Sequence, residues 1–457
     1  MRVSAIRNQY SGFRIQNIIP SFAIKPVIMP TGMKLLDQFR NRLRAQKQVA
    51  GALTALRFLG PGILVTIGFI DPGNWASNVA AGSEFGYQLL WVITLGTVML
   101  ILLQHNAAHL GIVTGECLAE SATHHLPRWI ARPALVSAVM AAVATAFAEI
   151  LGGAIALQML FHLPLKLGAT LTAIAAAGML LWNSYRRLEK IIVGFVSLIG
   201  LAFLFEMLLI HTRWTTAFTG WVSPSLPPHS ILIVMSLLGA VVMPHNLFLH
   251  SEVIQNRKWH IQGETAIISH LRFEWLDTLF SMIVGWLINS AMILLAAATF
   301  FQHKIKVVSL EQAKDMLSPL MGSHGAVAAS VFALALLCAG LTASVTAGMA
   351  GGSIFAGLCS RGYDIATHTS KVGVAITLGV ALAAVMLVTD SYRALLLSQV
   401  LLSIQLPITI ILQLYLTSSR KVMGVHANTP MGNIWLWMTA AIVIPLNIIL
   451  FIKVLAP

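Results

Sequence analysis

Eleven long apolar stretches set the terms on which this chain can fold. They run at roughly 56–81, 87–113, 131–161, 164–183, 190–211, 230–254, 274–301, 325–357, 371–389, 392–416 and 433–454. A helix rises about 1.5 Å per residue, so each is long enough to cross a hydrocarbon core about 30 Å thick. Lipid offers no partner to peptide N–H and C=O groups, which favours helices that satisfy them internally. The expected fold class is therefore an all-α integral membrane protein with about 11 transmembrane helices. Composition agrees: 10% of the 457 residues are charged, against about 25% in soluble domains. Cys117, Cys338 and Cys359 form no paired motif, so neither a disulfide framework nor a zinc site is suggested.

The net charge of +13 would suit a nucleic-acid partner if it were clustered, but its placement follows the spans. Ten of the 29 Lys/Arg residues precede residue 58, where Asp37 is the only acid. With that end cytoplasmic, the inside loops carry Arg128, Arg132, Arg186, Arg187, Lys190, Arg257, Lys258, Arg272, Arg361, Lys371, Arg420 and Lys421. The outside positions carry Lys166, Arg213, Lys304, Lys306, Lys314, Arg393 and Lys453. The resulting excess of inside cations is the positive-inside pattern. The expected placement is a multi-pass cell-membrane protein with a cytoplasmic N-terminus and Pro457 outside. Residues 1–55 read as a basic cytoplasmic segment, without a core suited to a cleavable signal.

Two spans are interrupted. Asp71-Pro72-Gly73-Asn74 breaks the first and Met243-Pro244-His245-Asn246 breaks the sixth. A lone proline kink in a membrane helix is an ordinary structural feature. Two kinks beside polar side chains, five spans apart, match the interrupted helices of an inverted-repeat transporter with its site at the bilayer midplane. Residues 56–211 and 212–416 would then be two five-helix repeats, and 417–457 an added eleventh helix and C-terminus.

Irregular backbone at membrane depth is tolerated where it lines a buried site. A carboxylate at the bilayer centre costs about 2.5–3.5 kcal/mol on insertion scales, so Asp71 calls for a cation, a proton or a basic partner. Asp71 and Asn74 offer a carboxylate and an amide oxygen, while the second break offers the Met243 thioether and the Ala240 carbonyl. Hard oxygens with one soft sulfur suit Mn²⁺, Fe²⁺, Co²⁺ or Cd²⁺ better than Mg²⁺ or Ca²⁺. His245 lies two residues beyond Met243, where an imidazole could accept a proton. Glu149, in "ATAFAEILGGAIAL", is the only acid of the third span.

The stretches "GPGILVTIGFIDPGNWASNVAAGSEFGYQLLWV", "ILLQHNAAHLGIVTGECLAE" and "GAVVMPHNLFLHSEVIQ" resemble the NRAMP family of proton-coupled divalent metal transporters. The likeness continues through "RRLEKIIVGFVSLIGLAFLFE" and "LLLSQVLLSIQLP", over roughly residues 57–416. It implies a LeuT-like fold with an inverted 5+5 repeat and broken helices 1 and 6. It implies metal bound by Asp71, Asn74, Met243 and the Ala240 carbonyl, with Gln399 able to approach, and it places Glu149 on a proton route. The metal is then cargo, no cofactor is implied, and the partners are divalent metal ions, protons and the lipid bilayer. No nucleic acid or obligate protein partner is called for. One departure stands out: the family usually has a second acid three residues before the glutamate, and Ala146 occupies that position here. Proton coupling is therefore expected to be weak or differently routed.

Further readings concern other polar residues. Glu206 reads as structural, Glu274 and Asp277 as interfacial, and Gln104 as orienting water or His245. Gly348, Gly351 and Gly352 read as close helix packing. Two other transporters remain on the same scaffold. An oxygen-selective Mg²⁺ carrier is opposed by Met243, and a sodium-coupled organic-solute carrier by the compactness of the polar set. An intramembrane enzyme would need a motif such as HExxH or GxSxG, and neither occurs.

Overall fold

The breaks set the helix starts. The computed structural model describes residues 70–182, 185–210, 212–257, 264–320 and 325–455. The basic segment 1–55 and the first part of the first span lie outside the described residues. Helix α1 (Pro72–Phe85) begins with Pro72 in its first turn, and Asp71 is its N-cap, accepting from the Asn74 backbone N–H. There follow α2 (Leu90–Thr114), a short α3 (Leu118–His125), α4 (Arg128–Phe161), α5 (Leu165–Trp182), α6 (Tyr185–Leu209) and the short α7 (Trp214–Val222). The sixth span is split into α8 (Ile231–Val241) and α9 (Pro244–Gln255). Val242 and Met243 leave the helical region (φ −103, ψ 76 and φ −78, ψ 120), and Pro244 opens α9. In both breaks proline stands at the first helical position, where its missing N–H is no loss. Pro133, Pro407 and Pro445 sit inside unbroken helices, so proline alone does not split a span here.

The second half continues with α10 (Glu264–Ala296), which runs into a π-turn at Ala297–Phe301, then α11 (Leu310–Leu320), α12 (Gly325–Leu358) and α13 (His368–Val385). It closes with α14 (Ser391–Ser418), the single turn α15 (Arg420–Met423) and α16 (Pro430–Leu455). Ten segments among the described residues are long and apolar enough to cross a membrane. They correspond to spans two to eleven of the sequence reading.

Helix pairing repeats with an offset of five spans. The most extensive contact joins α4 with α12, the third span with the eighth. α4 packs on α5 as α12 packs on α13, and α4 meets α13 as α12 meets α5. Likewise α1 packs on α10 as α9 packs on α2. The α4–α12 crossing is backbone to backbone: a Cβ on Gly340 would lie 2.6 Å from the Gly153 nitrogen. Of the three glycines read as packing positions, Gly351 and Gly352 meet Thr377 and Val374 of α13 at less than 3 Å from a hypothetical Cβ. Such small residues let helices approach where the hydrophobic effect cannot drive them together.

One sequence reading needs correction and another gains detail. Glu274 and Asp277, read as interfacial, are buried in the bundle at 2% exposure each, on a helix that already starts at Glu264. Gln104 does not reach His245. Its Oε1 partners His250 Nδ1 at 2.8 Å.

Candidate metal site

Both breaks and α14 converge on one buried polar cluster. Asp71, Asn74, Ala240, Met243, His245, Gln399 and Glu149 all have 0% exposure. The Asn74 side-chain amide donates to Asp71 Oδ1 at 2.5 Å and to the Ala240 carbonyl at 2.8 Å. A single NH₂ thus bridges the first break to the last turn of α8. The Asp71–Asn74 half follows from local geometry, because an N-cap carboxylate naturally faces the third residue of its helix. The Ala240 carbonyl is reachable because α8 stops at Val241, which frees its last acceptors.

Gln399 of α14 is held by two glycines. A Cβ on Gly73 would lie 1.7 Å from Gln399 Nε2, and one on Gly239 would lie 1.9 Å from the Gln399 carbonyl oxygen. The glutamine therefore sits against both breaks at once, with Nε2 donating to Ser398 Oγ at 3.2 Å. Met243 caps α9, and its sulfur accepts from Asn246 Nδ2 at 3.9 Å. The Met243 side chain packs in one cluster with Ala141 and Ala144 of α4 and Leu402 of α14.

Helix α4 supplies the rest. A Cβ on Gly152 would lie 2.0 Å from Pro72 Cβ, so α4 lies flush on the first break. That brings Glu149 within electrostatic range of Asp71. One turn earlier, Thr145 Oγ1 pairs with His245 Nδ1 at 3.0 Å. Ala146 beside it is fully buried. Asn74 Oδ1, His245 Nε2 and Gln399 Oε1 have no hydrogen-bond partner, and Asp71 Oδ2 and the Glu149 oxygens have none beyond the approach of the two carboxyls to each other. Buried polar atoms are ordinarily paired, so this concentration of free acceptors is suited to a cation. Among the described residues, no group of three or more His, Cys, Asp or Glu side chains is arranged to hold a metal. A cation here must rely on amide, carbonyl and thioether donors beside the carboxylate.

Residues 62–453 match the family description Nramp, natural resistance-associated macrophage protein-like. The chain belongs to the Nramp family. Among its Nramp relatives is the divalent metal cation transporter MntH of Brucella suis, 36% identical over 431 residues that cover 91% of this chain and 92% of the relative. The MntH of Caldanaerobacter subterraneus is 36% identical over 397 residues, 86% of this chain and 92% of that protein. The solved manganese transporter of Eremococcus coleocola, in complex with an aromatic bis-isothiourea substituted compound, is 27% identical with a TM-score of 0.75, covering 87% of this chain and 86% of that one. Mhp1, a nucleobase-cation-symport-1 family transporter, is 14% identical with a TM-score of 0.56 over 85% and 92% of the two chains, and shares the fold alone. The Nramp chain thus has a LeuT-like fold and is a multi-pass membrane protein.

The structure adds groups that the sequence reading did not single out. Thr145 is one, since a threonine inside an apolar helix carries no signal of its own. A second network joins α2, α9 and α10: His105 Nδ1 lies 2.5 Å from Glu274 Oε2, Thr278 Oγ1 donates to Glu274 Oε1 at 2.5 Å, and His250 Nε2 lies 3.8 Å from that same oxygen. Glu206, read as structural, is 1% exposed with neither oxygen hydrogen-bonded.

Proposed function

We propose that this Nramp protein is a secondary transporter that imports divalent transition metal ions, Mn²⁺ or Fe²⁺ with Co²⁺ and Cd²⁺ also accepted, into the cytoplasm. The single observation that carries this reading is the Asn74 amide bridging the Asp71 carboxylate and the Ala240 carbonyl across two broken helices. A donor at that position already does in miniature what a cation would do, drawing a carboxylate and a freed carbonyl together. Asp71, Asn74, the Ala240 carbonyl and Met243 are the proposed ligands, with Gln399 approaching from α14. The relatives named as divalent metal cation transporters, over nine-tenths of this chain in the first case, support the cargo class.

Selectivity rests on Met243. A thioether gives almost nothing to Mg²⁺ or Ca²⁺ and more to softer ions. Proton movement rests on Glu149 and His245, the titratable groups nearest the ligands. A dication arriving beside Asp71 repels a proton held between Asp71 and Glu149, which ties metal binding to proton release. Ala146 leaves that route one acid short, so the coupling is proposed to be weak. Spans one to five and six to ten act as the two repeats, and the eleventh is an addition.

The test is uptake of Mn²⁺ into proteoliposomes by the protein and its Asp71→Asn variant, with insertion checked by orientation-specific labelling. Asp71 supplies the only ligand charge, so the variant should insert and transport nothing above the empty-liposome rate. Uptake matching the unmodified protein would remove the reading.

A further inference from the structure

One helical turn beyond Asn74, α1 repeats the pattern of the metal site with different partners. Asn78 Nδ2 donates to Asn289 Oδ1 at 2.5 Å and contacts Met292 Sδ at 3.3 Å, both on α10. Asn78 and Asn289 are fully buried and Met292 is 1% exposed. Asn78 Oδ1, like Asn74 Oδ1, has no hydrogen-bond partner. In each case a buried side-chain NH₂ of α1 draws two acceptors onto one point, while the oxygen of the same amide stays free. At the first point the acceptors are a carboxylate and a backbone carbonyl. At the second they are an amide oxygen and a thioether.

A side-chain amide can turn over, exchanging its oxygen and nitrogen. Turning Asn78 would point its free oxygen at the place where Asn289 Oδ1 and Met292 Sδ already converge. Two amide oxygens and one soft sulfur would then face a common centre, with Asn289 held in place by its own Nδ2 donating to the Gly285 carbonyl at 3.0 Å. That is the same donor chemistry as Asn74 with Met243, without the carboxylate.

Its position along α1 gives it a use. At about 1.5 Å per residue, Asn78 lies about 6 Å along the axis from Asn74, toward the end that carries Glu84. At that end a cavity of about 660 Å³ is lined by Ser83, Glu84 and Tyr87. The second cluster therefore lies between the cavity and Asp71.

We propose that Asn78, Asn289 and Met292 form a transient second site for the transported ion, selective for soft divalent cations, between the cavity at the end of α1 and the site at Asp71. The proposal rests on the metal-transport reading above. Lacking a carboxylate, the site holds a dication more weakly than the Asp71 site and releases it one helical turn onward. Its sulfur makes it a second point at which softer ions are favoured over oxygen-seeking ones.

The test compares the full-length protein with Met292→Leu, which keeps shape and loses sulfur, in proteoliposomes supplied with Cd²⁺ or Mn²⁺. The Cd²⁺ KM should rise roughly fivefold while the Mn²⁺ KM moves by less than about twofold. The ratio of the two KM values, taken on one preparation, does not depend on how much of it is folded. Equilibrium binding of ¹⁰⁹Cd²⁺ gives a second arm. Asp71→Asn should keep weak, saturable Cd²⁺ binding, and adding Met292→Leu should abolish it. An unchanged KM ratio together with no Met292-dependent binding in the Asp71→Asn background would overturn the second site. Absence of any Cd²⁺ or Mn²⁺ uptake by the unmodified protein would instead overturn the transport reading, and the second site with it.

Discussion

Exchanging Glu149 for glutamine keeps the shape of the side chain and removes its ability to carry a proton. Glu149 faces Asp71 from α4, so Glu149→Gln should lower Mn²⁺ uptake by no more than about a hundredfold, the lower end of general acid–base effects, and reduce internal acidification further. The unmodified protein should acidify weakly and without fixed stoichiometry, and Ala146→Asp should raise proton movement more than metal movement. A pH-sensitive dye inside the liposomes, read in parallel with metal uptake, checks all three. Strong metal-dependent acidification indifferent to Glu149→Gln would move the route elsewhere, with the Glu274–His105–His250 network the next place to look. Asp71 and Asn74 were legible in the sequence because an acid, a proline and an amide side by side are costly in lipid unless a ligand compensates them. Thr145 and Asn78 were not, since their importance depends on partners on other helices, 100 and 211 positions away. The start of α10 was misplaced because hydropathy begins its span where charge thins out, whereas the helix itself begins ten residues earlier at Glu264.

The broken helices work as elements because something holds their ends in place. On one side α14 presses Gln399 between Gly73 and Gly239; on the other α4 presses Gly152 against Pro72. Gly239→Ala would set a methyl 1.9 Å from the Gln399 carbonyl oxygen, and a backbone atom cannot turn aside. Forcing α8 from α14 should cost about 1–3 kcal/mol, as overpacking typically does, and should disable uptake by displacing the neighbouring Ala240 carbonyl. Gly379→Ala on α13 is the control: nothing lies within 4 Å of its Cβ position, so stability should hold or rise by about 0.5–1 kcal/mol. Thermal unfolding in detergent with uptake on the same samples separates the two effects. At this scale spans two to eleven, apart from the start of the seventh, were readable to within about five residues, because hydrophobic length is a strong signal. The short helices α3, α7 and α11 were not read, since each is too brief to leave a period in the sequence. Which glycines carry close contacts was only partly readable: the run at 348–352 stood out, whereas Gly152 and Gly239 look like any glycine in an apolar helix.

For the molecule as a whole, the charge distribution gives a topology that one cysteine can test. Cys359 is exposed, and Cys117 and Cys338 are buried. Cys359 follows the eighth span, beside Arg361, on the side read as cytoplasmic. A membrane-impermeant maleimide should leave intact cells unlabelled and label Cys359 after permeabilisation, with Cys359→Ser removing the signal. Labelling of intact cells would invert the topology. The offset pairing of helices has a separate consequence for how the protein is made. The principal partner of α4 is α12, whose first residue, Gly325, is synthesised almost two hundred positions after Arg128. At about 5–20 residues per second, the ribosome takes on the order of 10–40 s to reach it. Through that interval Glu149 and the bare backbone at Gly153 must wait in the bilayer without their final neighbour. The half-built protein is thus a client of whatever shelters unfinished helices in the membrane, and a slow codon or early stop between the two halves would leave α4 as the exposed element.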